Sequence, residues 1–396
     1  MKNYDVIIIG GGVSGITAAI SAGNRKKNVL LLEKNETLGK KLLLTGAGKC
    51  NILNLHISSN KYISSSLSPI DMKNHISSKN LKKVSDFLES LGIVLEHRSD
   101  GRVFPKTQSA RDVLFLMKKK LKKNVAITKT GKTVNDFVNR NGVFTVKCKK
   151  GETFEAGKLI IATGGCSYAG TGSTGEGLKW AQNKGQKIEE ISPALVSLKL
   201  KKNPFFIAQG QRCICSLGLS QKNCMVFSTK GEVLFTGYGV SGPVVLNISL
   251  YYKNKKNNQF LFFDFFPNHS KKHLLKIYNE RSNYLKTKDV FDVLRGWLPE
   301  KIIKCFQKHF PTEKSPEEVF YRLKNWTTEI NDTMGYDNAM ITKGGISFYS
   351  ISKKNMMSTK IKDLYFVGEM LDITGISGGF NLFWAFHSGL LAGEHV

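Results

Sequence analysis

The chain has 396 residues, 41% of them apolar, enough for two to three domains with sizeable cores. No run approaches the roughly 20 apolar residues of a membrane span, and seven scattered cysteines without a C-x-x-C pair exclude a disulfide framework in favour of reduced thiols in a cytoplasm. The formal net charge of +28 is far from that of an ordinary small-metabolite enzyme and has two readings: a polyanionic partner, RNA above all, or codon bias, because nine of the 59 basic residues are Arg.

Met1 runs straight into the first predicted strand, so no secretory signal is expected. Tyr4-Asp-Val-Ile-Ile-Ile-Gly10 is short and apolar, the pattern of a buried parallel strand. The next residues satisfy G-x-G-x-x-G at Gly10, Gly12 and Gly15, with Val13 and Ser14 inside the motif, and Ile16 to Gly23 reads as a helix. Val29-Leu-Leu-Leu-Glu33 is a second strand with an acidic end, followed by Lys34. Each glycine has a mechanical reason: a tight turn at Gly10, backbone approach to a pyrophosphate at Gly12, close helix–strand packing at Gly15. The helix start offers N–H groups to phosphate, and Glu33, eighteen residues past Gly15, can accept from ribose hydroxyls. The stretch therefore predicts a dinucleotide site.

Gly39 to Asn51 is a glycine-rich basic loop containing Lys41, Thr45, Gly46, Gly48, Cys50 and Asn51, suited to wrapping a phosphate or flavin with backbone N–H groups. Helices are predicted over 81–91 and 111–121, and the lysines at 118, 119, 120, 122 and 123 read as a solvated face. Val125 to Thr130, Gly142 to Lys147 and Thr153 to Ala156 are expected to form a small antiparallel β-insertion. Lys158 to Gly165 is a third buried strand, ending in Ala162-Thr163-Gly164-Gly165. A Gly/Ser/Thr loop over 167–177 leads into a helix over 178–184.

From Ile191 the texture becomes β-like (194–200, 212–217, 224–228, 232–236, 260–264), with a helical stretch over 244–251, and then helical (271–284, 290–298, 300–309, 315–326). The tail returns to α/β: a strand at 364–369, a glycine-bearing turn over 370–381 and a small-residue helix over 382–393. In that turn Asp372 can hold the ribityl or pyrophosphate region of a flavin dinucleotide, and the start of the last helix can stabilise negative charge on the reduced ring. The fold class is α/β, with an inserted β part (191–267 and 331–340) and a helical part (268–330) set between 1–190 and 341–396.

No metal is expected. Cys213-x-Cys215 with Cys224 lacks a matching second pair, and His269 with His273 reads as a solvated helix face. His387 can either approach the flavin or pack in the core.

Together these motifs resemble the BaiN/RdsA (YhiN-type) family of NAD(P)/FAD-dependent flavoproteins over nearly the whole chain. The resemblance rests on residues 8–15, Gly39 to Asn51, Ala162 to Gly165, Leu234 to Pro243 and Val367 to Asn381. It implies a discontinuous Rossmann-like, glutathione-reductase-like FAD-binding domain (1–190 and 341–396) with an inserted β domain and a helical subdomain. It also implies non-covalent FAD, held by the residues already named together with Ala162, Thr163, Gly164, Gly368, Glu369, Asp372, Gly378, Gly379, Phe380 and Asn381. Against the family pattern, Lys49 replaces Arg, Phe380 replaces Tyr, Phe383 stands where Gln is common and Ser350 where an acid is frequent.

Family activities imply reduction of an activated C=C bond with NAD(P)H as transient donor. The preferred substrate is a uridine of 23S rRNA, giving dihydrouridine, with hydride addition at C6 and protonation at C5. Cys50 is the candidate general acid, because a thiol beside Lys49 can have a tuned pKa; a buried packing role is its alternative. The alternative function is a small-molecule flavin oxidoreductase, either an ene-reductase or an amine oxidase. The expected setting is the cytoplasm, without a membrane. The oligomeric state is left open, with a monomer preferred.

Overall fold

A computed structural model describes residues 3–124, 126–222, 224–253 and 258–396; Val125, predicted to open a strand, lies outside the described residues. The chain divides into two compact units, Met1–Pro193 with Ile341–Val396, and Ala194–Met340.

The first unit is built on a seven-stranded sheet. Asn3–Ile9 pairs in parallel with Val29–Leu32 on one side and with Thr153–Ile161 on the other. The parallel-paired cores of these strands, residues 6–9, Val29–Leu32 and residues 159–161, are apolar and buried, as parallel strands covered on both faces must be. Thr153–Ile161 is continuous, where the sequence predicts one strand ending at Ala156 and another starting at Lys158. At about 3.3 Å per residue it is long enough for two successive partners on one edge. Its first half pairs antiparallel with Val143–Cys148, and its second half pairs parallel with Leu364–Phe366.

Two predicted elements change place. Ile127–Lys129, expected in the antiparallel insertion, pairs in parallel with Val29–Leu32 and covers that strand's open edge. The strand Val134–Arg140, which the sequence did not reveal, takes its place beside Val143–Cys148. The helix Val13–Asn24 packs against the closing helix Phe380–Gly393 at backbone distance: a Cβ at Gly389 would lie 2.5 Å from the Ser14 carbonyl oxygen. The lysines at 118–123 belong to the helix Ala110–Lys123 itself, so most sit on its exposed face.

The second unit is a closed six-stranded barrel. In order around it run Leu198–Leu200, Gly239–Ser241, Cys224–Thr236, Arg212–Gln221, Gln259–Asp264 and Trp326–Thr333. Trp326–Thr333 closes the ring; the sequence hides it, because six of its eight residues are polar or charged, and two of those, Thr328 and Thr333, are buried with Trp326 and Ile330. Phe205 plugs the interior, its ring 4.7–4.9 Å from those of Phe235, Phe263 and Trp326. Helices Lys271–Leu285, Val290–Leu294, Glu300–His309 and Pro316–Lys324 complete this unit.

All seven cysteines are free thiols. Among the described residues no helix is long and apolar enough to cross a membrane, and no group of three or more His, Cys, Asp or Glu is placed to hold a metal.

Candidate functional site

The first strand delivers the chain to Gly10, whose φ of +110° turns it sharply. A Cβ at Gly10 would meet the Ala162 carbonyl oxygen at 2.4 Å, and one at Gly15 would meet the Gly10 oxygen at 1.9 Å. Gly12 differs: a Cβ there meets nothing within 4 Å, and no side chain caps the helix it begins. The tail comes to the same place, since a Cβ at Gly368 would lie 2.5 Å from Ser14 Oγ.

Glu33 is buried and its carboxylate faces this turn. Oε2 accepts from the Gly11 N–H at 2.7 Å, and Oε1 accepts from the Asn35 N–H and side-chain amide at 2.8 and 2.7 Å. Oε1 is filled by its two Asn35 donors, whereas Oε2 retains acceptor capacity for a hydroxyl. Lys34 turns elsewhere, donating to Thr174 Oγ1 and Glu176, each at 2.9 Å.

The loop over 39–51 folds into tight turns across Leu42–Gly48, with Gly46 and Ala47 in left-handed conformations and Cys50 at φ +60°. Its closure is local: the Cys50 N–H donates to the Thr45 carbonyl at 3.0 Å. The Cys50 thiol is fully buried, and burial pushes its pKa up to about 11, a hydrogen bond with Thr45 opposing only in part. The tuning expected from Lys49 is thus outweighed by loss of water around the sulfur. The Asn51 amide, oriented with its nitrogen toward Leu53 and Val103, donates to their carbonyls at 3.1 and 3.2 Å.

Four distant segments meet in one polar cluster. Lys41 Nζ lies 2.6 Å from Glu369 Oε2 and 2.7 Å from Ser167 Oγ. Glu369 Oε1 accepts from Ser167 Oγ at 2.7 Å and from the Thr342 N–H at 2.9 Å. Thr342 Oγ1 in turn accepts from the N–H groups of Cys166 and Ser167 at 2.7 and 3.1 Å. Ser167 and Thr342 were not singled out from the sequence, because nothing in their spacing marks them. Glu369→Gln is expected to weaken the unit by about 1–3 kcal/mol, since it sets an amide N–H₂ against the Lys41 ammonium in a largely buried setting. Urea unfolding checks this; an unchanged midpoint would show that the cluster contributes nothing to stability.

The tail residues are held firmly. Asp372 is buried, and its Oδ2 accepts from Ser64 Oγ (3.1 Å), the Ser65 N–H (2.8 Å) and Ser66 Oγ (2.7 Å). Burial raises its pKa, and those donors offset the rise only partly. Asn381 clasps Gly375, accepting from its N–H and donating to its carbonyl, both at 2.8 Å. Gly378 and Gly379, at φ +117° and +101°, lead into the closing helix, whose start has no side-chain cap. Phe380 is buried, with the Tyr62 hydroxyl donating to its carbonyl at 2.9 Å. Thr163 Oγ1 contacts Met370 Sδ at 3.4 Å, and Gly164 adopts φ +76°. Among the predicted site residues, then, Gly10, Gly12, Ser14, Gly15, Ala162 and Gly368 converge on one helix start, and Lys41 meets Glu369. Lys34, Asn51, Asp372 and Asn381 are engaged with protein groups.

His387 is a core residue here. Its Nε2 lies 3.1 Å from His75 Nδ1, one ring donating and the other accepting, and Phe383 stacks on it at 5.6 Å. Burial lowers the pKa of His75 to about 4 and of His387 to about 3.

The sequence matches the HI0933-like protein Rossmann domain family over residues 4–395. The chain belongs to that family. Among curated proteins the HI0933-like chain is 32% identical over 404 residues to the 3-dehydro-bile acid delta(4,6)-reductase of Clostridium scindens, covering 98% of this chain and 97% of the relative. It is 28% identical over 401 residues to the ribosomal RNA dihydrouridine synthase of Escherichia coli K12, covering 98% and 96%. Among solved structures, a 3-ketosteroid-delta4-(5alpha)-dehydrogenase from Rhodococcus jostii superposes with TM-score 0.52 at 14% identity, over 99% of this chain and 97% of that one. A flavocytochrome c3 fumarate reductase gives TM-score 0.53, also at 14% identity, over 99% of this chain and 78% of that one. The HI0933-like chain thus has the Rossmann-type fold of flavoprotein oxidoreductases.

Proposed function

We propose that the protein is an FAD-dependent oxidoreductase that uses NAD(P)H to reduce an activated C=C bond, its substrate a uridine of 23S rRNA that becomes dihydrouridine. The observation that carries the flavin reading is the open, uncapped helix start at Gly12 with the Glu33 carboxylate beside it at Gly11. Backbone N–H groups at Val13, Ser14 and Gly15 would face the pyrophosphate, where the helix dipole favours negative charge. Glu33 would receive the ribose hydroxyls. The turns at Thr45, Gly46 and Gly48 and the uncapped start at Gly379–Phe380 would hold the ring, within a discontinuous domain of 1–190 and 341–396. Bound FAD, reduced by NAD(P)H, would supply the hydride.

The chain itself must supply the proton for C5 of the uracil. Cys50 is the proposed donor because it lies in the glycine-rich loop expected to wrap the flavin. Its thiol, raised to about 11 by burial, is protonated at neutral pH and would have to be uncovered when substrate binds. Cys50→Ala is expected to keep the bound flavin and its yellow colour while lowering dihydrouridine formation about 100-fold. Unchanged turnover would leave Cys50 with packing alone.

The RNA substrate is supported by the net charge of +28 and by the dihydrouridine synthase relatives. An rRNA substrate would call for a cytoplasmic protein. The bile-acid reductase relative favours a second reading, a small-molecule ene-reductase. Deleting the gene and measuring dihydrouridine in large-subunit rRNA decides between them. The RNA reading expects its loss; an unchanged level, with purified protein reducing a steroid enone at the expense of NADH, overturns it.

A further inference from the structure

We propose that Phe206, Ile207 and Tyr238, flanked by Lys202 and Lys301, form a stacking platform for single-stranded RNA on the barrel unit. The inference rests on the rRNA reading above and adds to it a surface that receives the nucleic acid.

The platform follows from how the barrel is plugged. Phe205 is fully buried among the rings of Phe235, Phe263 and Trp326. With Phe205 turned inward, the short turn Phe206–Ala208 presents its next two side chains outward, Phe206 at 64% and Ile207 at 38% exposure. Single exposed apolar side chains are ordinary, and others occur on this chain, but two adjacent ones on a held turn beside Tyr238 make a patch that a partner can use. The turn is pinned to the strand end that carries Tyr238, itself 38% exposed. The Asn203 amide donates to the carbonyls of Thr236 and Gly237 at 2.9 and 3.2 Å, and the Gly210 N–H donates to the Phe235 carbonyl at 2.9 Å. A held platform loses little conformational entropy on binding.

Charge selects the occupant. Lys301 reaches over the turn, its Nζ 3.3 Å from the Gln209 carbonyl, and Lys202 precedes the turn on an exposed left-handed residue. The neighbouring acids are already neutralised, Glu329 by Lys201 at 2.8 Å and Glu300 by Lys304 at 3.0 Å. Among the described residues neither Lys202 nor Lys301 has a carboxylate within ion-pair distance. Aromatic faces flanked by uncompensated lysines match unstacked bases on a phosphate backbone. A base-paired duplex, with its bases stacked on one another, offers no such faces.

The test uses the FAD-loaded protein and a labelled uridine-rich single-stranded RNA, with binding read by fluorescence anisotropy across a salt series. The double variant Phe206→Ser/Tyr238→Ser is expected to bind at least about 25-fold more weakly, with its affinity for duplex RNA unchanged. Lys202→Glu/Lys301→Glu is expected to lower the salt slope by about two. Phe206→Tyr, which keeps a stacking face, is expected to bind like the parent and guards against a folding artefact in the serine variants. The proposal is overturned if the serine variant binds single strands like the parent, if it loses duplex equally, or if the parent binds no RNA, as a protein-docking surface would behave. The two readings fail separately. Loss of dihydrouridine on gene deletion with no effect of the serine pair sinks only the platform, whereas intact dihydrouridine with platform-dependent RNA binding sinks only the rRNA reading.

Discussion

Gly15→Ala is expected to abolish flavin binding and to cost about 3 kcal/mol of stability. The new methyl would stand 1.9 Å from the Gly10 carbonyl oxygen and 3.1 Å from Ala162 Cβ, so the helix must move away from the strand it packs against. That displacement is costly because the helix and strand it would separate belong to the close-packed core, where Ile7, Ile8 and Ile16 have no exposed surface. Gly12→Ala provides the contrast. Its φ of −79° suits alanine and its Cβ meets nothing, so the apoprotein should fold as before while the methyl fills the space a pyrophosphate requires. The predicted pattern is therefore a colourless, destabilised Gly15→Ala and a Gly12→Ala of normal unfolding midpoint that retains flavin at least about tenfold more weakly, since close backbone approach is lost. Purification, visible absorption and urea unfolding together check it. A yellow Gly12→Ala with parental flavin affinity would remove the phosphate site from the first helix.

Acidification is expected to destabilise the protein well before its carboxylates titrate. His75 and His387 are neutral in the folded state, with pKa values of about 4 and about 3, whereas in the unfolded chain each returns to about 6.5. Above pH 6.5 neither state binds the extra protons and the pair has no effect on the balance. As pH falls below 6.5 the unfolded chain takes up protons that the folded one refuses, so stability declines toward pH 3–4. By pH 5 the two groups together cost on the order of 4 kcal/mol. Asp372 acts in the opposite sense, because its raised pKa lets the folded state take a proton first as the pH falls. Urea midpoints at pH 7.5 and pH 5 measure the difference, and His75→Gln/His387→Gln is expected to remove most of it. An equal loss in the double variant would trace the acid lability to other groups. The pair joins the helix Pro69–His75 to the closing helix Phe380–Gly393, so hydrogen exchange should report the loss first there.

The opening of the chain was legible because its constraints are local and steric. Parallel strands covered on both faces must be apolar, a turn hugging Ala162 must be glycine, and a carboxylate at the end of Val29–Leu32 must face the turn beside it. The closing glycine turn and small-residue helix could be read for the same reason: Gly389 meets backbone on the first helix. The barrel was legible only in pieces. Trp326–Thr333 carries so many polar residues that its role emerges only when Leu198–Leu200 and Gln259–Asp264 flank it. Ile127–Lys129 was assigned to the wrong neighbours because three residues carry too little pattern to choose a partner.

By itself, the sequence determined the dinucleotide turn, the α/β class and the chain's strong positive charge, since each follows from residue type and near-neighbour spacing. Only the tertiary structure decided which polar groups pair: Lys41 with Glu369, Thr342 with Ser167, His75 with His387, and Asp372 with the serines at 64–66. Such partners lie up to 328 positions apart, and the desolvation that shifts the pKa values of Cys50 and the two histidines depends on what covers them. No short window of sequence encodes that cover, because it is supplied by segments that meet only once the sheet has fixed its register.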